Sequence, residues 1–171
     1  PAATRFAAEI RARPWRRMVQ PFCPRIRNVL LQSVHRLMVE ETEENHHQLG
    51  EVVDGGVYHT IPLGVFETAI QIQWYQQLGA DVVGQSSGQE AILARMCNMC
   101  FGGIYIVANY AEGLPGDWNE EGMDNLYREC ATPMGVIVWW ALEELVEQER
   151  SCDCGQIADQ TSHSGLPVPG A

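Results

Sequence analysis

The sequence predicts an α/β fold, a sheet flanked by helices, and three observations predict it. Between Tyr58 and Glu149, short β-branched runs alternate with stretches of helical periodicity, the order expected of strand, helix, strand connections. The run Ile104-Tyr105-Ile106-Val107-Ala108 is apolar throughout, as in a central strand covered on both faces. Three polar words, Phe66-Glu67-Thr68, Gln85-Ser86-Ser87 and Asn109-Tyr110-Ala111, each follow a strand candidate, where open α/β sheets bind ligands.

Residues 1–20 have weak periodicity and a basic bias, and read as a loosely held extension. A first residue of Pro1 in place of Met suggests a truncated reading frame or a processed chain. From Pro24, the apolar residues Ile26, Val29, Leu30, Val34 and Leu37 recur at helical spacing, predicting an amphipathic helix that ends near Glu40. The acidic stretch from Glu40 to the paired His46-His47 reads as an exposed loop, and Val53-Asp54-Gly55-Gly56 as a turn. Val57–Ile61 and Asp81–Gly84 are strand candidates. Between them Glu67–Leu78 reads as a helix with Ile70, Trp74 and Leu78 on one face, and Glu90–Cys97 as the next helix. Asn119–Arg150 contains Pro133, which has no amide hydrogen and crowds the preceding turn, so two helices or one sharply kinked helix are expected. Val136–Val146, with Trp139 and Trp140, is apolar enough to pack across the sheet. Residues 151–171, rich in glycine, serine and proline, read as a mobile tail after a domain of residues 21–150.

Composition narrows the function. With 171 residues, 46% hydrophobic and 19% charged, the chain can bury a sizeable core. The net charge is −11, and residues 1–17 hold five arginines and one glutamate, so six arginines face 21 acids in the rest; this argues against a nucleic-acid surface. All 11 basic residues are arginine, which excludes a lysine Schiff base and a phosphate-loop lysine. No apolar run reaches membrane-span length, the longest being Gly135–Leu142. Six cysteines, at 23, 97, 100, 130, 152 and 154, match neither a dense disulfide framework nor two zinc knuckles, so reduced cytoplasmic thiols and no metal site are expected.

Asn109 stands at the end of the strongest strand candidate, and its amide offers a donor and an acceptor together to a ligand in the crevice. An aspartate there would only accept. Glu67 can accept from a ring N–H of a ligand in a charge-assisted bond. A strand-end turn for Asn109, and a first-turn acid favoured by the helix dipole for Glu67, are the plainer readings of the same residues. Ser86 precedes a helix, where its hydroxyl and the neighbouring amides can meet phosphate. Helix capping by Ser86 or Ser87, with Glu90 completing a capping box, gives the same pattern.

Taken with Gly79-Ala80-Asp81-Val82-Val83-Gly84-Gln85-Ser86-Ser87 and Ile104–Ala111, these words resemble the carboxy-terminal half of a trimeric-type purine nucleoside phosphorylase, a family that includes methylthioadenosine phosphorylases. The resemblance covers roughly Pro21–Glu149. It implies a three-layer phosphorylase-like fold, here a partial domain, with a central mixed sheet between helices. It also implies phosphorolysis of 6-oxopurine nucleosides to purine and ribose 1-phosphate, with inorganic phosphate as co-substrate, no further cofactor, and a homotrimer. Asn109 becomes the catalytic base-reading residue and Glu67 its partner. Tyr58, Phe66 and Gln85 become substrate-binding, and Ser86 phosphate-binding. Gln85 stands where the family usually has methionine.

The chain departs from the pattern at Pro62-Leu63-Gly64-Val65-Phe66, where the family commonly has Gly-Pro-x-Phe, and at Gly88-Gln89-Glu90, where it has Val-Pro-Glu. No histidine falls between Tyr110 and Asn125 to reach a ribose 5′-hydroxyl, and the glycine-rich phosphate loop of the family's first half is missing. Methylthioadenosine or methylthioinosine phosphorolysis is therefore an alternative, and a non-catalytic purine-binding relative another. Cys97-Asn98-Met99-Cys100 reads as buried thiols. Cys152-Asp153-Cys154 is similar to the carboxy-terminal Cys-x-Cys of some archaeal methylthioadenosine phosphorylases, but reads as part of the unconstrained tail.

Overall fold

A computed structural model describes residues 18–40, 50–116 and 119–154. The elements run α1 (Pro24–Glu40), β1 (Tyr58–Thr60), α2 (Ala69–Gln77), β2 (Val82–Gly84), α3 (Ser87–Met96) and α4 (Glu120–Glu147). Most of the basic extension, the acidic loop with His46-His47, and residues 155–171 of the expected tail lie outside the described residues.

The sheet among the described residues is two parallel strands, with Tyr58 opposite Val82, His59 opposite Val83 and Thr60 opposite Gly84. Asp81 sets that register from below: its Oδ2 accepts from Val57 N at 2.7 Å, and its own N donates to Val57 O at 2.9 Å. Glycine is required in β2, because a Cβ on Gly84 would collide with the Tyr58 side chain lying across it. At the start of α3, a Cβ on Gly88 would collide with the Thr60 side chain, so this helix turn closes directly onto the tip of β1.

Two cores form among the described residues. In the first, Val34 and Leu37 of α1 meet Ile137 of α4, with Leu30, Ile104, Val136 and Trp140 around them. These are the positions the helical spacing in α1 predicts. Arg25 of α1 reaches the far end of α4, where Nη2 donates to the Leu145 and Gln148 carbonyls at 2.8 and 2.9 Å. A cation there satisfies end carbonyls and opposes the helix dipole, a task no basic residue in the last turn of α4 performs. Arg36 lies 4.0 Å over the Trp140 ring. In the second core, Ile61 meets Ile72 and Tyr75 of α2, with Ala80, Val83, Ala111 and Leu114 at its edge, and the Tyr75 ring stacks on His59 at 3.8 Å.

Four expectations change. The run Ile104–Ala108 joins no ladder among the described residues, although Ile104, Ile106 and Ala108 are half-buried while Tyr105 and Val107 are exposed. It keeps the two-residue alternation of a strand but is covered on one face only. No ladder hydrogen bond joins it to β1 or β2, although the Tyr105 ring lies 5.1 Å from that of Tyr58 in β1. On α2, Ile70, Trp74 and Leu78 do share a face, but that face is the exposed one, and Ile72 and Tyr75 are buried instead. The helix carries two apolar stripes, and among the described residues the one that reaches Ile61 is the one that is covered. Helix α4 runs through Pro133 as one element of 28 residues, because packing along its length offsets the single missing hydrogen bond. Its apolar half packs on α1, with Trp139 exposed and donating to Glu143 Oε1 at 2.9 Å. No helix among the described residues is long and apolar enough to cross a membrane.

Candidate functional site

The parallel register puts the carboxyl ends of β1 and β2 on the same sheet edge, and the chain after Ala108 arrives there too. Side chains tie the three exits together. Gln85, directly after β2, donates from Nε2 to Val65 O at 2.9 Å and accepts from Gly64 N at 3.3 Å, fixing the turn that leads to Phe66. Both ends of that amide are engaged with the turn. Glu67 is half-buried, and its Oε1 accepts from Glu112 N at 3.4 Å, linking the first exit to the loop after Asn109. Because α2 starts at Ala69, after Thr68, Glu67 precedes the helix and is not a first-turn acid. Gln71 serves that end of the helix, its Oε1 accepting from Thr68 N at 2.8 Å.

A cavity of about 630 Å³ opens beside this junction. Its wall is the segment Val107–Leu114 with Gly116, Asn119, Gly122 and Met123 of the α4 entrance. The volume is that of a small-molecule site. Asn109 lines it, with Nδ2 donating to Tyr110 O at 2.7 Å and no hydrogen bond to its Oδ1 among the described residues. Asn119 caps α4 through Oδ1, which accepts from Gly122 N at 3.0 Å, so a helix amino terminus forms one side of the cavity.

The other expected site residues lie outside that wall. Phe66 is 64% exposed. Tyr58 is half-buried, its ring 5.1 Å from that of Tyr105. Ser86 is exposed at the end of β2, and its side chain makes no cap bond, so the expected capping box is not formed. Ser87 is instead buried and hydrogen-bonds Tyr105, whose phenol is pushed up by burial. Neither Tyr105 nor Ser87 stood among the binding residues expected from the sequence. The one signal was a lone hydroxyl within an otherwise aliphatic strand.

A second cluster lies elsewhere. The Sγ atoms of Cys23, Cys100, Cys152 and Cys154 all lie within 4.8 Å of one another, and those of Cys100 and Cys152 are 3.2 Å apart. The expectation of an unconstrained Cys-x-Cys is revised: Cys154 is buried, and its carbonyl accepts from Arg95 Nη1 at 3.1 Å. Two-residue spacing alone could not reveal a set drawn from three distant segments. Burial pushes Cys100 up to about 11 and Cys154 up to about 12. Burial also pushes Cys152 up, but hydrogen bonds with Cys100 and Arg150 outweigh it and bring that thiol down to about 6.

Comparison with known proteins bears on this arrangement. The family described as "Phosphorylase superfamily" matches residues 4–139, which takes in part of the amino-terminal segment read above as an extension. The chain is 33% identical over 137 residues to the 6-oxopurine nucleoside phosphorylase of Pyrococcus furiosus, covering 79% of this chain and 47% of that protein. It is 33% identical over 138 residues to a probable S-methyl-5′-thioinosine phosphorylase of Methanothermobacter thermautotrophicus, covering 80% and 43%. Among solved structures, the fold resembles a methylthioadenosine phosphorylase from an antarctic soil metagenomic library, with a TM-score of 0.69 at 18% identity over 85% of this chain and 49% of that one. An adenosine/methylthioadenosine phosphorylase from Schistosoma mansoni gives a TM-score of 0.71 at 18% identity, over 89% and 57%. The chain spans about half the length of these relatives. With the family match extending over most of its residues and the fold agreeing, the chain belongs to the phosphorylase superfamily.

Proposed function

We propose that this chain carries the base-reading part of a purine nucleoside phosphorylase that prefers 6-oxopurine nucleosides. The observation that supports this reading most is the link between Glu67 and the loop after Asn109, at 3.4 Å, beside the cavity that Asn109 lines. A carboxylate to accept from N1–H and an amide to serve O6 and N7 are the complement of a 6-oxopurine edge. The relative from Pyrococcus furiosus bears that activity in its name.

In the reaction, a phosphate oxygen bonds to C1′ as the C1′–N9 bond breaks, and the bonding pair leaves with the purine. Asn109 turns its amide from Tyr110 O to N7, where it stabilises the growing negative charge, and Glu67 holds the ring in plane. Phosphate lies toward Ser86 and the amino terminus of α3. Phe66 and Tyr58 take the base and sugar side. No protein nucleophile or cofactor is required. The working assembly is a cytoplasmic homotrimer.

A second reading changes only the sugar. Tyr110–Asn125 offers no histidine for a 5′-hydroxyl, and a thioinosine phosphorylase is among the relatives, so a 5′-methylthio group is the alternative. The test is to compare kcat/KM for inosine, 5′-methylthioinosine and adenosine in the longest natural reading frame that contains this chain, before and after Asn109→Asp. The reading expects the wild type to favour the 6-oxopurines by at least about tenfold over adenosine, and Asn109→Asp to move that ratio toward adenosine by a similar factor. An unchanged ratio sinks the base assignment.

A further inference from the structure

The four clustered cysteines have no part in nucleoside recognition, yet segments remote in sequence bring them together. Cys23 directly precedes α1, Cys100 follows the turn after α3, and Cys152 and Cys154 follow α4. The backbone fixes these positions. Cys23 N donates to Phe101 O at 2.6 Å, and Met99 N donates to Ala94 O at 2.8 Å to close the turn after α3, where Asn98 adopts a left-handed φ of 57°. Cys23 is 0% and Cys154 4% exposed.

Four thiolates at about 2.3 Å from one tetrahedral ion lie roughly 3.8 Å from each other. A set confined within 4.8 Å needs only small side-chain adjustments to meet that geometry.

The surroundings suit a negative centre. Arg95 is 3% exposed and makes no ion pair among the described residues, and its Nη1 and Nη2 donate to the Cys154 and Gln20 carbonyls at 3.1 and 2.5 Å. A buried guanidinium without a carboxylate calls for a counter-charge nearby. Arg150 hydrogen-bonds Cys152 and donates from Nη2 to Asn98 O at 3.1 Å. Four thiolates on one divalent ion carry two net negative charges; Arg150 is an outer-sphere partner to one of them, and Arg95 holds the backbone of Cys154.

We propose that Cys23, Cys100, Cys152 and Cys154 bind one Zn(II) as a structural site that joins the start of α1, the turn after α3 and the end of α4. Thiolate ligands select soft or borderline ions, and a set of four leaves no position for water or substrate, so the site holds the fold and takes no part in turnover. On binding, each thiol releases its proton to solvent, no electron is transferred, and all four sulfurs stay reduced. The ion closes chain loops that span most of the described sequence, which restricts the unfolded chain strongly.

The test begins with the 171-residue chain purified without chelator. Metal content is read by mass spectrometry of the elements, and intact mass is read after denaturation without reductant. The proposal expects about one zinc per chain, an intact mass with every thiol hydrogen retained, and strong thiolate-to-metal absorption when cobalt(II) replaces zinc. Cys100→Ser and Cys152→Ser should lower the zinc retained after dialysis by roughly tenfold or more, while Cys97→Ser, outside the cluster, should keep it. Zinc far below one per chain together with the loss of a hydrogen pair for each disulfide overturns the proposal, as does iron in place of zinc. If the serine variants fail to fold, the metal content and intact mass of the wild type decide the matter alone.

Discussion

Glu67 is the residue whose setting most sharpens the account of base recognition. It lies before α2, half-buried, with one carboxylate oxygen on Glu112 N and no hydrogen bond to the other among the described residues. Glu67→Gln keeps the shape but has one acceptor oxygen in place of two, so an amide that still accepts from Glu112 N turns its NH2, a donor, toward N1–H. Affinity for hypoxanthine should fall about tenfold, with adenine binding changed far less, as measured by calorimetric titration. Equal losses for both bases would assign Glu67 to holding the loop. Both residues proposed to read the base could be picked out in the sequence because their chemistry is local: one carboxylate and one amide, each just past an apolar or ordered run. Gln85 was legible as a position but not as a role, since its amide bonds to Val65 and Gly64, a pairing no linear spacing announces. Tyr105 with Ser87, and the four cysteines, depend on which segments meet in space, and composition is silent on that.

Elements were readable where their own periodicity decides burial. Helix α1 spans Pro24–Glu40 with Val29, Val34 and Leu37 inside, as its spacing implies. Where a partner decides, pattern alone fell short. The two apolar stripes of α2 look alike in sequence, and Ile104–Ala108 has strand chemistry without a ladder among the described residues. The pairing of β1 and β2 rests on a different feature, the absence of a side chain at Gly84 beneath Tyr58. Gly84→Ala should destabilise the chain by about 1–3 kcal/mol in urea unfolding, because the added methyl must displace the Tyr58 ring or separate the strands. In a Tyr58→Ala background the same change should have a much smaller effect. Additive losses would show that Tyr58 is not what makes glycine necessary.

At the scale of the whole molecule, two small cores and a two-stranded sheet organise one edge at which three chain exits meet. The same edge carries the Asn109 cavity, while Trp74, Leu78, Val107 and Tyr110 leave apolar surface exposed around the fold. The chain spans about half of its relatives, and the base recognition proposed for it rests on its own residues Glu67 and Asn109. The most direct test is to titrate the chain itself with hypoxanthine and with adenine, following heat or tryptophan fluorescence. The account predicts tighter binding of hypoxanthine by about tenfold or more, and loss of that preference in Asn109→Asp. Equal affinity for the two bases, unchanged by the substitution, would contradict it.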